Sequence, residues 1–144
     1  MKTLKAIIIP ALIILFLATG SCTKQQPHDT IPNVAVDVYI DVNSTLYLQL
    51  NTIGGWLYLT GGYKGILVYR VSEDEFVAYD RACPYDPLVQ ESRLQMDVGN
   101  LTVVDTVCKS KFVILDGSIV EGPATVPLKR YRTTFDGNIL HIFN

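Results

Sequence analysis

The sequence predicts an all-β fold, an antiparallel sandwich or barrel, and three observations carry that prediction. Short apolar runs rich in β-branched and aromatic residues recur from Val34 to Phe143. Turn residues separate them: Gly54-Gly55, Gly61-Gly62, the Ser72–Glu75 stretch, and the pairs Asp116-Gly117 and Asp136-Gly137. No segment has an apolar period of helical length, although residues 87–96 have room for one helical turn.

The first 21 residues stand apart from that pattern. A short basic start, Met1 to Lys5, leads into an apolar run from Ala6 to Ala18, broken by Pro10. A run this short has the form of a signal-peptide core; a membrane span needs about 20 residues. Thr19-Gly20-Ser21-Cys22 closes it, and small residues ahead of a cysteine resemble the lipobox of bacterial lipoproteins. That resemblance implies cleavage before Cys22 and acylation of its thiol with palmitate-type chains. The domain would then be held at a membrane surface, outside the cytoplasm, where disulfides persist. An ordinary secretory signal with an incidental cysteine is the simpler alternative. Losing Lys2 and Lys5 takes the twelve basic residues to ten against fourteen acidic ones, a net charge of −4. Residues 22–33 are polar, hold two prolines and His28, and read as a flexible tether.

The domain proper is expected over residues 34–144. Its predicted strands, in order, are Val34–Val42, Leu46–Leu50, Trp56–Leu59, Ile66–Val71 and Phe76–Tyr79, then Leu101–Val104, Phe112–Leu115, Tyr131–Phe135 and Ile139–Phe143. Several alternate apolar and polar residues, as half-buried strands do. The two Asp-Gly pairs predict tight hairpins. No repeat or internal boundary divides the stretch.

Cys83 and Cys108 each end a strand-like run and open a loop. The first loop reads Cys83-Pro84-Tyr85 and the second Cys108-Lys109-Ser110-Lys111, with Leu115-Asp116-Gly117 beyond. Gly122-Pro123-Ala124 follows, then Pro127-Leu128-Lys129-Arg130-Tyr131. Over about residues 60–143 these landmarks resemble the Rieske family, and the chain is also similar to Bacteroidetes-type lipoproteins that join such a domain to a lipobox. The resemblance implies a Rieske-like sandwich or barrel with two cluster-type hairpin loops, covered by Gly122, Pro123 and Ala124. It also implies an electron-transfer role through a 2Fe–2S cluster.

The ligands of that cluster do not carry over. The family holds one iron with two cysteines and the other with two histidines. Here Tyr85 stands at the first histidine position and Lys111 at the second. A phenol is protonated near neutral pH, and an ammonium has no lone pair. The sequence therefore predicts no metal and no cofactor, with a 2Fe–2S carrier as the alternative. Tyr85 is expected to pack beneath the Gly122-Pro123-Ala124 loop and fill the vacated space; a surface tyrosine in a turn is the other reading.

Family geometry would bring the Cys83 and Cys108 sulfurs within a few ångströms, which implies a structural disulfide in an oxidising compartment. A redox-active dithiol is a second possibility, with Lys109 and Lys111 beside Cys108 favouring its thiolate. A zinc site using both cysteines and His141 is a third.

Elsewhere, Arg81, Lys109, Lys111, Lys129, Arg130 and Arg132 read as a solvated basic face, with an anionic partner or lipid headgroup as the alternative. Trp56, Tyr58, Tyr63 and Tyr69 read as core aromatics more readily than as a binding strip. A pI near 5.6 without a basic excess sets nucleic acid aside. No nucleophile–base pair or phosphate-cradling loop appears, so no enzyme chemistry is predicted. The expected role is a structural or interaction module that binds an envelope protein.

Overall fold

The computed structural model describes residues 30–144, so the leader and Cys22 lie outside it. Among the described residues ten strands form two antiparallel sheets, the all-β antiparallel class that the sequence predicts. The larger sheet contains β1 (Asp37–Asp41), β2 (Trp56–Leu59), β3 (Ile66–Arg70), β4 (Phe76–Asp80), β9 (Arg130–Phe135) and β10 (Ile139–Phe143), in the order β1-β10-β9-β4-β3-β2. The smaller contains β5 (Leu94–Met96), β6 (Thr102–Asp105), β7 (Lys111–Val113) and β8 (Ile119–Glu121), in that order. Among the described residues no helix is long and apolar enough to cross a membrane.

The two central strands explain the layering. Ile66, Val68, Phe76 and Ala78 face one core, where they meet Ile40 of β1, Leu57 of β2, Tyr131 and Leu140. Residues from both edge strands share that core, so the large sheet curls upon itself. Leu67, Tyr69, Val77 and Tyr79 point the other way, into a second core with Leu94, Val103, Phe112 and Ile114 of the small-sheet region. Buried on both faces, β3 and β4 read as unbroken apolar runs because neither side meets water.

Both Asp-Gly pairs form the predicted turns. Asp136 Oδ1 accepts from the amides of Asn138 and Ile139, and Gly137 takes φ +100. These amides hold the Asp136 carboxyl below the usual carboxylate range. Asp116 caps Ser118 in the same manner, with Gly117 at φ +76.

Leu46–Leu50 corrects the prediction. It belongs to a 3-10 helix, Thr45–Asn51, and not to a strand. Ser44 caps it by accepting from the Leu46 amide, and a strand's shared face is absent: Leu50 is buried while Leu46 is 81% exposed. Two short strands, β5 and β8, were not anticipated; β5 lies where one helical turn had room to form. The end of the predicted tether rests on the domain, since Lys129 Nζ donates to the Pro32 carbonyl at 2.9 Å and Asn144 Nδ2 to Asn33 Oδ1 at 3.2 Å.

Candidate functional site: the paired cysteine loops

The site is built from two loops. The β4–β5 connection carries Cys83, Pro84, Tyr85 and Asp86; the tight β6–β7 loop carries Asp105, Cys108 and Ser110. Arg81 closes the mouth of the first, its carbonyl accepting from the Leu94 amide and its Nε donating to the Leu94 carbonyl at 3.0 Å. Its guanidinium lies 3.6 Å from the Tyr58 ring centre, so Arg81 is a strut between the sheets and not part of a basic face.

Asp105 shapes the second loop. Its Oδ1 accepts from the amides of Val107 and Cys108, both at 2.8 Å, and Lys109 takes the left-handed φ of +63. The turn aims Cys108 at Cys83, and their Sγ atoms stand 3.4 Å apart, unbonded. The sequence anticipated this approach. Cys83 is fully buried, and that burial pushes its thiol well above the ordinary value, while the Tyr85 backbone amide acts in the opposite direction.

The covering loop matches the expectation in part. Ala124 is buried in the same core as Cys83 and donates its amide to Ser110 Oγ at 2.9 Å; Gly122 and Pro123 face solvent. Ser110 Oγ in turn lies 3.1 Å from Cys108 Sγ.

Tyr85 is 41% exposed, nearer the surface tyrosine of the second reading than a ring enclosed under the covering loop. Lys111, on β7, forms an ion pair with Asp97 at 3.0 Å. Lys109 Nζ donates to the Thr106 carbonyl at 2.7 Å. Neither ammonium is held for the Cys108 sulfur. The zinc reading through His141 also fails. That side chain sits on β10, 2.7 Å from Asp37 Oδ1 and stacked between Tyr39 and Phe143, and it does not join the cysteine group.

Two further residues join the sulfurs, and the sequence reading missed both. One ligand atom each from Cys83, Asp86, Asp105 and Cys108 lies within 4.8 Å of all the others. The available signal was a mirrored spacing, Cys83-x-x-Asp86 in one loop and Asp105-x-x-Cys108 in the other. Ser92, fully buried, lies between the acids, its Oγ 2.6 Å from Asp86 Oδ1 and 2.8 Å from Asp105 Oδ2. Beneath them Lys64 is 9% exposed and donates Nζ to the carbonyls of Val89 and Ser92. Burial lowers its pKa, opposed by the nearby Asp86 and Asp105.

These donors do not fit a histidine-ligated 2Fe–2S centre. The family's second iron needs two imidazole nitrogens, whereas the four ligand atoms that lie within 4.8 Å of one another here are two sulfurs and two carboxylate oxygens.

No family model matches the chain, and no curated protein matches it. Among solved structures it is similar to the ferredoxin of carbazole 1,9a-dioxygenase from Nocardioides aromaticivorans IC177, at 16% identity and a TM-score of 0.47, covering 76% of this chain and 97% of that one. It is also similar to the Sphingomonas yanoikuyae B1 ferredoxin, at 16% identity and a TM-score of 0.45, covering 67% and 93%. The complex of reduced oxygenase and oxidized ferredoxin in carbazole 1,9a-dioxygenase gives 19% identity, a TM-score of 0.48, and coverage of 73% and 93%. Similarity at this level carries no argument about cofactor or partner.

Proposed function

We propose that the chain is a lipid-anchored module of a bacterial envelope, built on a Rieske-like frame without a two-iron centre, and that it acts by binding another envelope component. The observation that supports this is the donor set: sulfur and carboxylate oxygen converge where the family's chemistry requires two imidazoles. Nitrogen donors at the far iron are what set that family's high potential, and neither Tyr85 nor Lys111 supplies one. A catalytic dithiol is disfavoured on separate grounds. The lysines expected to favour the Cys108 thiolate are engaged elsewhere, Lys111 by Asp97 and Lys109 by the Thr106 carbonyl. Its partner Cys83 is buried with its thiol pushed up.

The test is iron, sulfide and visible absorbance on one anaerobically purified sample of the full chain. The proposal expects colourless protein without stoichiometric iron or sulfide. Red-brown protein with two irons and two sulfides per chain overturns it. The anchor has its own test: Cys22→Ser is expected to move the chain from the membrane fraction to the soluble fraction, and unchanged partition overturns that part.

A further inference from the structure

We infer that Cys83, Asp86, Asp105 and Cys108 form a binding site for a single divalent cation of zinc's borderline character when the two cysteines are reduced.

Geometry is the first support. Tetrahedral zinc, with bonds of about 2.3 Å to sulfur and about 2.0–2.2 Å to carboxylate oxygen, spaces its ligand atoms roughly 3.3–3.8 Å apart. The two sulfurs already stand at 3.4 Å, and all four ligand atoms fall within 4.8 Å of one another. Small side-chain rotations bring them onto one centre. Each loop contributes one sulfur and one oxygen across two intervening residues, a spacing common among zinc ligands.

Proton counting is the second support. Ser92 has one hydroxyl hydrogen, yet its Oγ lies within hydrogen-bond distance of both Asp86 and Asp105. One of those contacts therefore has no hydrogen from the serine and needs a further proton or a cation, while the nearby Lys64 ammonium is turned to the carbonyls of Val89 and Ser92. A dication there takes the place of the two thiol protons, so the net charge of the group is unchanged, and it gives the two carboxylates a shared partner. Asp105 Oδ1 is already committed to two amides, so Oδ2 is the oxygen that turns to the metal.

The donor set selects the ion. Two thiolates with two carboxylates suit zinc, or cobalt as its spectroscopic substitute, better than calcium or magnesium, which take oxygen alone. Binding converts two thiols to metal thiolates and releases two protons to solvent, with no change of oxidation state.

The experiment uses the full chain in detergent, reduced with a phosphine that is then removed without air. Cobalt(II) is titrated in, followed by zinc(II). The expected result is one equivalent of cobalt giving thiolate-to-metal absorption and the intense visible bands of a tetrahedral site, both erased by one equivalent of zinc. Cys108→Ser, which removes one of the two sulfurs, should at least halve the thiolate band and weaken cobalt binding. Asp86→Asn should weaken cobalt binding at least tenfold while leaving the circular dichroism unchanged. Asp105→Asn is a poor probe, because it also weakens the acceptor on which the Val107 and Cys108 amides converge. Absence of thiolate absorption at one equivalent in the wild-type chain overturns the proposal, as does a cobalt spectrum and affinity unchanged in Asp86→Asn. The outcome is independent of membrane anchoring, and it is separate from the iron and sulfide analysis, since cobalt is added to protein already assayed for both.

Discussion

The buried hydroxyl of Tyr131 donates to Asp80 Oδ2 at 2.6 Å, and this bond joins β9 to the strand that enters the first cysteine loop. Asp80 also accepts from the amides of Tyr63, Lys64 and Ala82. Four donors explain how a carboxylate tolerates complete burial. Because Ala82 immediately precedes Cys83, the same carboxylate fixes where the buried sulfur begins its approach to Cys108.

Two tyrosine-to-phenylalanine changes in the same interior should therefore move stability in opposite directions. Tyr131→Phe removes a hydrogen bond to a charged group and should cost about 1.5–3 kcal/mol. Tyr79 is also fully buried, but its hydroxyl has no hydrogen-bond partner. Tyr79→Phe removes a desolvated polar group at almost constant volume, so it should be neutral or stabilising by about 1 kcal/mol. Urea unfolding of the reduced chain measures both. Equal losses in the two variants would contradict the hydrogen-bond assignment.

Gly62 tests the same carboxylate from the turn that faces it. It adopts φ +62, and a Cβ there would press into the Tyr131 hydroxyl and stand 2.8 Å from Asp80 Oδ2. Gly99 also has a positive φ, +98, but open space surrounds its missing side chain. Gly99→Ala should cost only the left-handed backbone penalty, about 1–2 kcal/mol. Gly62→Ala should cost about 2 kcal/mol more, because it also displaces the Tyr131–Asp80 bond. Thermal unfolding of the two variants compares them directly, and matching melting temperatures would rule out the steric account.

The sequence displayed the fold better than the site. Runs such as Ile66–Arg70 and Phe76–Asp80 are apolar because they have a core on each side, and such runs are visible without coordinates. Leu46–Leu50 has a strand's alternation, but Ser44 caps a 3-10 turn and exposes two of its three leucines, an effect of local hydrogen bonding that alternation does not record. β8 is only three residues, Ile119-Val120-Glu121, exposed along its whole length and too short to show a strand's alternation. At the site, the approach of Cys83 and Cys108 followed from the family resemblance. Asp86 and Asp105 did not, because an aspartate beside a loop cysteine has the composition of an ordinary turn. Asp80 was hidden for a similar reason: at a strand end it looks solvated, and only the fold surrounds it with donors.

Oxidation provides a test of the sulfur pair. The 3.4 Å separation needs only loop adjustment to reach the 2.03–2.05 Å of a disulfide. Diamide accepts two electrons and two protons from the two thiols as the bond forms. The folded chain should lose both free thiols without dimerising, and the closed loop should raise stability by about 3.5 kcal/mol on the chain-entropy estimate. One equivalent of zinc added beforehand should slow the reaction. Thiol titration and non-reducing electrophoresis read the outcome; two thiols still free after diamide treatment of the folded chain would remove the disulfide from consideration.

Three buried acids should make the protein sensitive to alkali. Burial raises the Tyr79 hydroxyl from 10.0 to about 12. Burial, then the bond to Asp80, pushes Tyr131 up further, and burial raises the Cys83 thiol above its ordinary 9.0. More than a unit below their ordinary values these groups hold their protons in both folded and unfolded chains, so they add no pH dependence there. Above their ordinary values the unfolded chain releases protons that the folded chain retains. The folded state then binds more protons, and stability must fall as pH rises. Each group contributes up to about 1.4 kcal/mol per pH unit within its own window, which opens near pH 9 for Cys83 and near pH 10 for the tyrosines. Urea midpoints of the reduced chain between pH 8 and pH 11.5 should be level at first and then decline. Cys83→Ala should delay the onset of that decline and Tyr131→Phe should reduce its slope. A midpoint that holds constant to pH 11.5 would mean that these side chains reach water in the folded protein.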